Sequence, residues 1–516
     1  MEGSTAMISK ETIKAKKHLP AKDGKGGARA RGARLLAGLL LFLLEGATLL
    51  GLPSWAQADN QTIISSEDVP PDTLSVDQAV SFGLAHHPKL FWFRHTVRKK
   101  GARVKVSKSH FYPHVGVGAM YGIANPGLGN EFLNNLNFVT PVFPMDYTKM
   151  GPLSAPNEPA GLATIGVNQL LLDFGKFEHR VKQRLAGKRA SEFWLYSQDA
   201  WVILQVKEAY YHVLLDRKLI AVYQKNLEQR KLVKNLTRSL YKADYRSQLD
   251  YDLAKVDYEK ARALLESEKD DLVAQIAHLN DAMGLGQAGR NDYHLTGNLG
   301  QVSDVVVGRD EAVTRGLTYR PEINAYRNLF QQEKERTRFM RAQHYPLISA
   351  FGNYGFMANL VTNESYVPGM WSGGGTITVP IYTGGMIRGE TERAHEKSRE
   401  RQYGISDWSH NIRYQVVRAR ARTRSDLADI RAYTEAVKEA KLALVLANKR
   451  YTANLISIVD LTLAEVYLLN TEAALATYQY RYQVDRATLR FAEGVDYLAY
   501  LPEVRKKVVG QDPVAK

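Results

Sequence analysis

A glycine motif of the kind that binds dinucleotides lies within this 516-residue chain. Residues 284–289 read GLGQAG and match G-x-G-x-x-G. The motif binds a dinucleotide only where a strand precedes it and a helix follows, because the helix N-terminus holds the pyrophosphate. A long helical pattern precedes Gly284 instead. We therefore predict that these glycines end a helix and begin a linker, and we predict no cofactor.

Two histidine pairs have spacings that suggest metal binding, namely His86-His87 and His110-x-x-x-His114. No carboxylate or further histidine is placed to complete a site, so we predict surface or rim positions for them. The chain has no cysteine, which excludes thiol catalysis, disulfides, cysteine-based metal sites and a lipid-anchored mature N-terminus. No Ser/His/Asp order, HExxH motif or paired-carboxylate cleft stands out from the helical background. The sequence therefore predicts no enzyme.

Two aspartates occupy corresponding places, in Ser247-x-x-Asp250 and Ser457-x-x-Asp460. Both motifs follow a break in a long helical pattern. A serine hydroxyl can cap the helix that returns, and an aspartate three residues later completes an arrangement similar to a capping box. One interpretation of Asp250 and Asp460 is therefore that they only cap helices near their positive ends.

The chain is written twice. Residues 77–88, DQAVSFGLAHHP, return at 310–321 as DEAVTRGLTYRP, an offset of 233. A second block repeats at an offset of 210, which pairs Tyr241 with Tyr451 and Gly284 with Gly494. Units of this length are too long for a solenoid repeat. We predict one body with repeat one at 74–284, a linker at 285–306, repeat two at 307–494 and a C-terminal tail at 495–516.

Residues 1–58 have the pattern of a secretory signal peptide. Nine Lys and Arg precede or flank the apolar run LLAGLLLFLL at 35–44, and Ala56-Gln57-Ala58 provides a cleavage site. A membrane anchor is the alternative, but ten residues fall short of the ~20 that a spanning helix needs. Removing the signal lowers the net charge from +15 to +10. Much of the basicity is therefore targeting, and we predict no nucleic-acid partner.

Each repeat combines short helices, alternating strands and one long helical hairpin. Helices are predicted at Val76–His86, from Pro88 to about Ser109, and in corresponding places of repeat two up to Gln343. The stretches 176–242 and 386–451 contain no proline, and 67 helical residues extend about 100 Å. A second helix then returns to Gly284 or Gly494. Such lengths favour coiled-coil packing.

Period-two alternation between apolar and small or polar residues predicts four strands. They lie at 111–122, around 163–168, at 348–354 and at 376–381. Segments of about ten residues with this alternation are typical of outer-membrane strands. An ordinary soluble hairpin is the alternative. Between the paired strands we predict two surface loops, Ile123–Gly161 and Met357–Ser372.

The reversals between the long helices are centred on Asp244 and Asn454. A tight reversal usually needs one residue at positive φ, and after glycine the residues that adopt it most readily are Asn and Asp. Around them, large side chains of Tyr245, Arg246, Leu455 and Ile456 are predicted to be exposed, because nothing local can bury them.

These reversals resemble the TolC-like family of outer-membrane efflux proteins. Residues 450–461, RYTANLISIVDL, are similar to its Y-x-x-G-x-x-S-x-x-D-L hairpin, with Asn454 in place of glycine. LSVDQAVSFGLAHHP and GRDEAVTRGLTYRP look like the short helix that opens each family repeat, and residues 379–385 look like its strand-to-helix segment. The resemblance covers roughly residues 74–494.

The resemblance implies an α+β membrane protein. Three chains would form a twelve-stranded β-barrel, with four strands from each chain, continued by a long α-helical periplasmic barrel. Four strands alone cannot close a barrel, and open edges in lipid leave backbone groups without hydrogen bonds. The expected function is the outer-membrane channel of a tripartite efflux or type I secretion system. An exported periplasmic coiled-coil scaffold is the alternative, which leaves the strands unexplained.

The resemblance also assigns roles near the helical reversals. It places Asp460 at the periplasmic gate. Asp250 has the corresponding position in repeat one, six residues beyond its turn residue, and is predicted at the gate on that ground; Tyr451 is predicted to donate a hydrogen bond to Asp250 across neighbouring hairpins. A periplasmic adaptor protein is expected to contact the tips, which supply Tyr245, Arg246, Ser247, Leu455, Ile456 and Ser457. The further partners are an inner-membrane pump or ABC exporter, outer-membrane lipid and two more copies of the chain.

Overall fold

The computed structural model describes residues 70–124, 158–286, 289–302, 307–359 and 366–504. The predicted signal peptide lies outside the described residues. Two compact units can be distinguished. Residues 109–174 and 344–381 contribute a β unit, and residues 70–108, 175–343 and 382–504 contribute a helical unit. Both units draw on both repeats.

The β unit is a four-stranded antiparallel sheet in the order β1-β2-β3-β4. Its strands are β1 His114–Ala124, β2 Glu158–Leu172, β3 Leu347–Asn359 and β4 Tyr366–Thr378. The central pairing joins β2 of repeat one to β3 of repeat two, with a bulge between Leu170 and Leu172. The sheet is therefore shared by the two repeats.

One face of this sheet is apolar and exposed. The register aligns Val117, Ile165, Tyr354 and Trp371 in a row across all four strands, and all four are exposed, Trp371 to 80%. The neighbouring row, on the opposite face, holds Gly116, Gly166, Asn353 and Ser372. Asn353 is buried and its amide donates to the Ser372 hydroxyl at 3.4 Å. The alternation predicted from the sequence is thus present.

The predicted bounds of the strands were wrong in several places. β1 begins at His114 rather than Phe111, and β4 ends at Thr378. The strands also continue into the predicted loops, because backbone pairing extends to Ala124 with Glu158 and to Ala358 with Tyr366. Cross-strand hydrogen bonds maintain this pairing where the alternation fades. What remains of the two loops, 125–157 and 360–365, lies outside the described residues.

The helical unit consists of short helices packed on two long hairpins. The helices, in chain order, are α1 Val76–His86, α2 Pro88–Ser109, α3 Lys176–Lys242, α4 Gln248–Met283, α5 Arg309–Tyr319, α6 Pro321–Ala342, α7 Met386–Thr452, α8 Ile458–Ala492 and α9 Asp496–Tyr500. The predicted helices are confirmed, and their ends agree within one residue at most positions. Within the described residues, no helix combines the length and apolarity needed to span a membrane.

Equivalent residues build the apolar core of each repeat. In repeat one, buried side chains of α1, α2, α3 and α4 pack together, among them Leu90, Val206 and Leu279. In repeat two, the residues at the 233 and 210 offsets pack in the same way. The pairs are Ala79 with Ala312, Leu90 with Ile323, Val202 with Ile412, Val206 with Val416, Ala209 with Ala419, Leu279 with Leu489 and Ala282 with Ala492. The duplication seen in the sequence is therefore a duplication of the core.

The return helices α4 and α8 are each followed by a glycine that lies against the backbone at the end of the short helix, α1 or α5. Gly284, at φ 78°, caps α4, and a Cβ atom there would lie 2.5 Å from Cα of His87. Gly494, at φ 68°, would place a Cβ atom 2.7 Å from the backbone nitrogen of Arg320. His87 and Arg320 both precede the proline that begins the next helix. Only glycine fits both the conformation and the space.

We expect Gly284→Ala and Gly494→Ala each to destabilise the protein. A non-glycine residue in the left-handed region costs about 1–2 kcal/mol, and overlap with backbone adds about 1–3 kcal/mol. Thermal unfolding followed by circular dichroism at 222 nm should show a lower transition for both variants. Gly308→Ala is the control, because Gly308 has φ −55° and no atom within 4 Å of a Cβ there. Equal transitions for all three variants would contradict the steric requirement for glycine at 284 and 494.

Candidate functional site

The two hairpin ends have the same backbone turn. Asp244 and Asn454 adopt φ of 56° and 60°, and each lies two residues beyond the end of a 67-residue helix. Tyr245 N–H donates to Leu240 O, and Leu455 N–H donates to Arg450 O, both at 2.9 Å. These bonds satisfy carbonyls that the helix end leaves free. Asp and Asn thus hold the left-handed position.

Serine caps begin both return helices. The Ser457 hydroxyl accepts from Asp460 N–H at 3.2 Å, and Asp460 Oδ2 accepts from Ser457 N–H at 3.0 Å, which is a capping box. In repeat one, the Ser247 hydroxyl accepts from Asp250 N–H at 3.2 Å. Hydrogen bonds from the Ser457 side chain and backbone lower the pKa of Asp460. Asp460 is exposed and therefore stays ionised throughout the neutral range.

Arg246 joins the two hairpin ends. Its guanidinium donates to Ile456 O at 3.1 Å and to Tyr451 O at 3.5 Å, and it lies 4.6 Å from the centre of the Tyr451 ring. Its other nitrogen is 3.7 Å from the Asp250 carboxylate. One side chain of hairpin one therefore contacts two backbone carbonyls and an aromatic ring of hairpin two.

Two of the four side chains predicted to be exposed at the reversals are not. Tyr245 and Leu455 are each 73% exposed, as expected. Arg246 is instead largely covered by hairpin two, and Ile456 packs partly against the apolar residues beneath the turn. The prediction was wrong for these two because it considered only local burial. Arg246 is covered by residues 205–210 positions later in the chain, and Ile456 packs on a cluster to which both hairpins contribute.

Tyr451 lies beneath the turns and not at the surface. It is 1% exposed, in an apolar cluster that also contains Val233, Ala254, Leu444 and Leu461. Burial raises the pKa of its phenol. Within the described chain its hydroxyl makes no hydrogen bond, so the expected bond to Asp250 is not formed in one chain. Arg246 contacts both groups instead.

A buried ion cluster below the turns was not predicted from the sequence. Arg230 of α3 pairs with Glu465 of α8 at 2.6 Å and with Asp257 of α4 at 3.2 Å. Thr462 also donates to Asp257 at 3.2 Å. Arg230 and Glu465 are buried, and the pKa of Glu465 is raised by burial, which Arg230 opposes. The sequence held one sign of this cluster: at the 210 offset, repeat two has Ala440 where repeat one has Arg230, so the arginine is not part of the repeated pattern.

The glycine motif and the His110/His114 pair do not form a binding site in the described residues. Gly284 ends α4, so a helix and not a strand precedes the G-x-G-x-x-G motif, as predicted. The rings of His110 and His114 lie 6.4 Å apart. In the described part of the chain, no three His, Asp or Glu side chains group so as to hold a metal ion.

A comparison with known families matches both repeats. The family model described as "Outer membrane efflux protein" matches residues 80–285 and 314–495. Among curated proteins, the probable efflux pump outer membrane protein TtgC of Pseudomonas putida is 27% identical over 229 residues, 44% of this chain. The chain spans about half the length of that relative, 46%. The alkaline protease secretion protein AprF of Pseudomonas aeruginosa is 26% identical over 352 residues, 65% of this chain and 69% of AprF.

Solved structures share the fold. The outer membrane protein VceC of Vibrio cholerae has a TM-score of 0.65 and 18% identity, covering 81% of this chain and 96% of VceC. The CmeC outer membrane channel of Campylobacter jejuni has a TM-score of 0.70 and 14% identity, covering 84% of this chain and 89% of CmeC.

We expect Arg246→Ala to loosen the contact between the hairpin ends. The substitution removes charged hydrogen bonds worth about 2 kcal/mol each and a cation–π contact worth about 0.5–1 kcal/mol. Since the chain has no cysteine, spin labels can be attached at Lys242→Cys and Lys449→Cys alone. Pulsed electron resonance on labelled chains diluted with unlabelled ones should show a broader distance distribution.

Arg238→Ala is the matched control, because Arg238 is an exposed arginine on α3 with no ion pair in the described chain. It should leave the distribution unchanged. An unchanged distribution in Arg246→Ala would show that the apolar cluster alone holds the two ends together.

Proposed function

We propose, because this chain belongs to the outer membrane efflux protein family, that three copies form a channel for export across the outer membrane. The protein is located in the outer membrane and extends into the periplasm. In this proposal residues 1–58 are removed during export. The channel is the outer component of a tripartite efflux or type I secretion system.

The observation that carries the proposal is the exposed apolar row of the sheet. Val117, Ile165, Tyr354 and Trp371 offer one continuous apolar face, and the opposite face is lined with small and polar residues. A lipid-facing barrel strand has this alternation, with polar residues toward the lumen. The described sheet has two edges, β1 and β4. Three sheets joined at these edges give twelve strands and leave no open edge in lipid.

The helical hairpins support a closed ring of copies. Within the chain, α3 packs on α8. The repeat-related helices α7 and α4 do not pack on each other to a similar extent in the described residues. Both helices carry exposed apolar side chains in the single chain, including Val256 and Leu264 on α4 and Leu442 and Leu446 on α7. An interface that joins two different surfaces closes into a ring when the rotation permits. Three chains then supply six similar hairpins.

The hairpin ends are the proposed partner surface. Tyr245 and Leu455 are exposed where the chain reverses, and exposed apolar residues of this kind mark interaction sites. We propose that they contact a periplasmic adaptor protein, which links the channel to an inner-membrane pump or ABC exporter. Ser247 and Ser457 contribute by fixing the return helices.

The proposed cargo is a small molecule or a protein. TtgC is described as a probable efflux pump component and AprF as a protein of alkaline protease secretion. The same hairpin ends and gate residues would serve an efflux pump or a protein exporter. We therefore propose that the inner-membrane pump selects the cargo.

Asp460 is proposed as the gate carboxylate. Its side chain is exposed at the start of α8, and three copies would form a ring of negative charge around the channel axis. Asp250 is less available, because Arg246 lies beside it. The position one turn beyond Asp460 is Leu463, so the ring would be single. The helix-capping interpretation remains compatible with the capping box at Ser457.

The alternative is an exported coiled-coil scaffold. The two 67-residue helices favour it as much as they favour a channel. It gives no reason for an exposed apolar sheet face. Fractionation distinguishes the two: a channel is found as a heat-modifiable trimer in the outer membrane, and a scaffold is found in the periplasm.

We expect the purified trimer to conduct ions in a planar bilayer with a preference for cations and block by divalent ions. Asp460→Asn keeps the shape and removes three charges, so both properties should weaken severalfold. Since hydrogen bonding lowers the pKa of Asp460, the cation preference of the unmodified channel should persist at pH 5. If Asp460→Asn keeps both properties, Asp460 is only a helix cap, while absence of any conductance would contradict the channel itself.

We expect Leu455→Asp to abolish export and leave the trimer intact. Leu455 touches little within its own chain, so a charge there should act on the partner alone, and drug resistance or protein secretion in cells measures the effect. Ile456→Asp is a useful contrast, because Ile456 packs on the apolar cluster and its substitution should also lower thermal stability. Normal export by Leu455→Asp would remove this residue from the adaptor contact.

A further inference from the structure

The helix α2 has a charge composition unlike that of any other helix in the described residues. Its 22 residues contain eight Lys and Arg and no Asp or Glu. Six of these cations lie between the middle of the helix and its C-terminal end: Arg98, Lys99, Lys100, Arg103, Lys105 and Lys108. Within the described chain none of the six forms an ion pair, and all but Lys100 are exposed. The positive charge of this helix is therefore poorly neutralised by carboxylates of its own chain.

Cations of two neighbouring helices lie close to those of α2: a Cβ atom at Gly101 of α2 would lie 3.7 Å from Cε of Lys188 on α3. Burial, together with the charges of Arg103, Arg184 and Lys99, lowers the pKa of Lys100. Burial, together with Arg180, Arg103 and Arg336, lowers the pKa of Arg184 on α3. Arg336 belongs to α6, so positive charges of three helices act on one another. We call residues 98–108, 176–189 and 331–342 the basic cluster.

The basic cluster holds most of the net charge of the protein. It contains sixteen Lys and Arg and three Asp and Glu, a net charge of +13, against +15 for the whole chain and +10 for the chain without residues 1–58. The three carboxylates are engaged within the cluster: Glu178 pairs with Lys182, Glu333 with Arg336, and Glu335 with Arg338 and His179. Concentrating like charge opposes folding, and an anionic partner relieves this cost.

The position of the cluster in the sequence indicates the partner. α2 ends five residues before β1, α3 begins four residues after β2, and α6 ends five residues before β3. Each segment of the cluster is therefore the part of its helix that is nearest in sequence to a strand. Only three or four residues join each of these helices to its strand, and a helical segment of about 12 residues is itself only about 18 Å long.

We propose that the basic cluster binds the anionic headgroups of a phospholipid bilayer at the periplasmic surface of the outer membrane. The inference rests on the proposed function, which puts the strands in that membrane. Lys and Arg near an anionic bilayer surface are attracted to lipid phosphates, and the attraction acts within about a Debye length.

The test compares lipid binding by the full-length trimer purified in detergent. Native mass spectrometry counts the molecules of phosphatidylglycerol or of phosphatidylcholine, with the same acyl chains, that each trimer retains. We expect the unmodified trimer to prefer phosphatidylglycerol at least threefold, and 0.5 M salt to weaken the preference. Inorganic phosphate at millimolar concentration should not displace the lipid, because the bilayer headgroup is the proposed ligand.

Two sets of four substitutions separate the cluster from general basicity. Lys99→Gln, Lys100→Gln, Arg103→Gln and Lys105→Gln together should reduce affinity for phosphatidylglycerol roughly tenfold or more and abolish the preference. Lys225→Gln, Lys231→Gln, Arg238→Gln and Lys242→Gln remove the same charge from the other end of α3 and should preserve it. Lys99→Arg, Lys100→Arg and Lys105→Arg keep the charge and should also preserve it.

Three results would overturn the inference. The first is equal retention of the two lipids by the unmodified trimer, which needs no variant to fold. The second is an equal loss in both sets of Gln substitutions. The third is a combined result: the α2 Gln variant dissociates into monomers, and the unmodified trimer shows no lipid preference. That result would assign the cluster to contacts between chains. A trimer that conducts but lacks lipid preference contradicts this inference alone, whereas failure to reach the outer membrane contradicts the proposed function.

Discussion

The helical unit depends on a close approach between its short first helix and the long hairpin that follows. A Cβ atom at Gly83 of α1 would lie 2.8 Å from Cγ2 of Val206, and one at Gly316 of α5 would lie 3.0 Å from Cγ2 of Val416. A side chain at Gly83 would overlap Val206, and one at Gly316 would press on Val416, so glycine permits the close approach in both repeats. Because the approach occurs in both repeats at equivalent residues, each short helix is held on its long hairpin in the same way.

The two repeats differ in sequence toward the ends of the hairpins, where hairpin one has arginines that hairpin two lacks. Arg230 and Arg246 have Ala440 and Ile456 as their repeat counterparts. Both arginines belong to hairpin one and reach groups of hairpin two, one through a buried carboxylate and one through backbone carbonyls. Breaking such contacts leaves buried charge or unpaired polar groups, so the contacts favour one arrangement of the ends.

A single chain leaves several surfaces without a partner in the described structure. The apolar sheet row, the apolar faces of α4 and α7, and the basic cluster each expose groups that a soluble monomer seldom exposes together. Three different partners account for them within the proposed function: lipid chains for the sheet, further copies for the hairpins, and lipid headgroups for the cations. The folded chain has the properties of one part of an assembly.

The sequence by itself determined the elements and their repetition. Proline, glycine and serine at helix ends fixed the bounds of α1, α3 and α4 almost to the residue, because caps and breakers act locally. Alternation located the strands but not their ends, since pairing with a neighbour extends them. The tertiary structure alone decided that Arg246 and Ile456 are covered, that Tyr451 contacts Arg246, and that Arg230 pairs with Glu465. A charged residue in a long helix has the same local signature whether it faces solvent or a helix 200 residues away, so only the packing reveals its role.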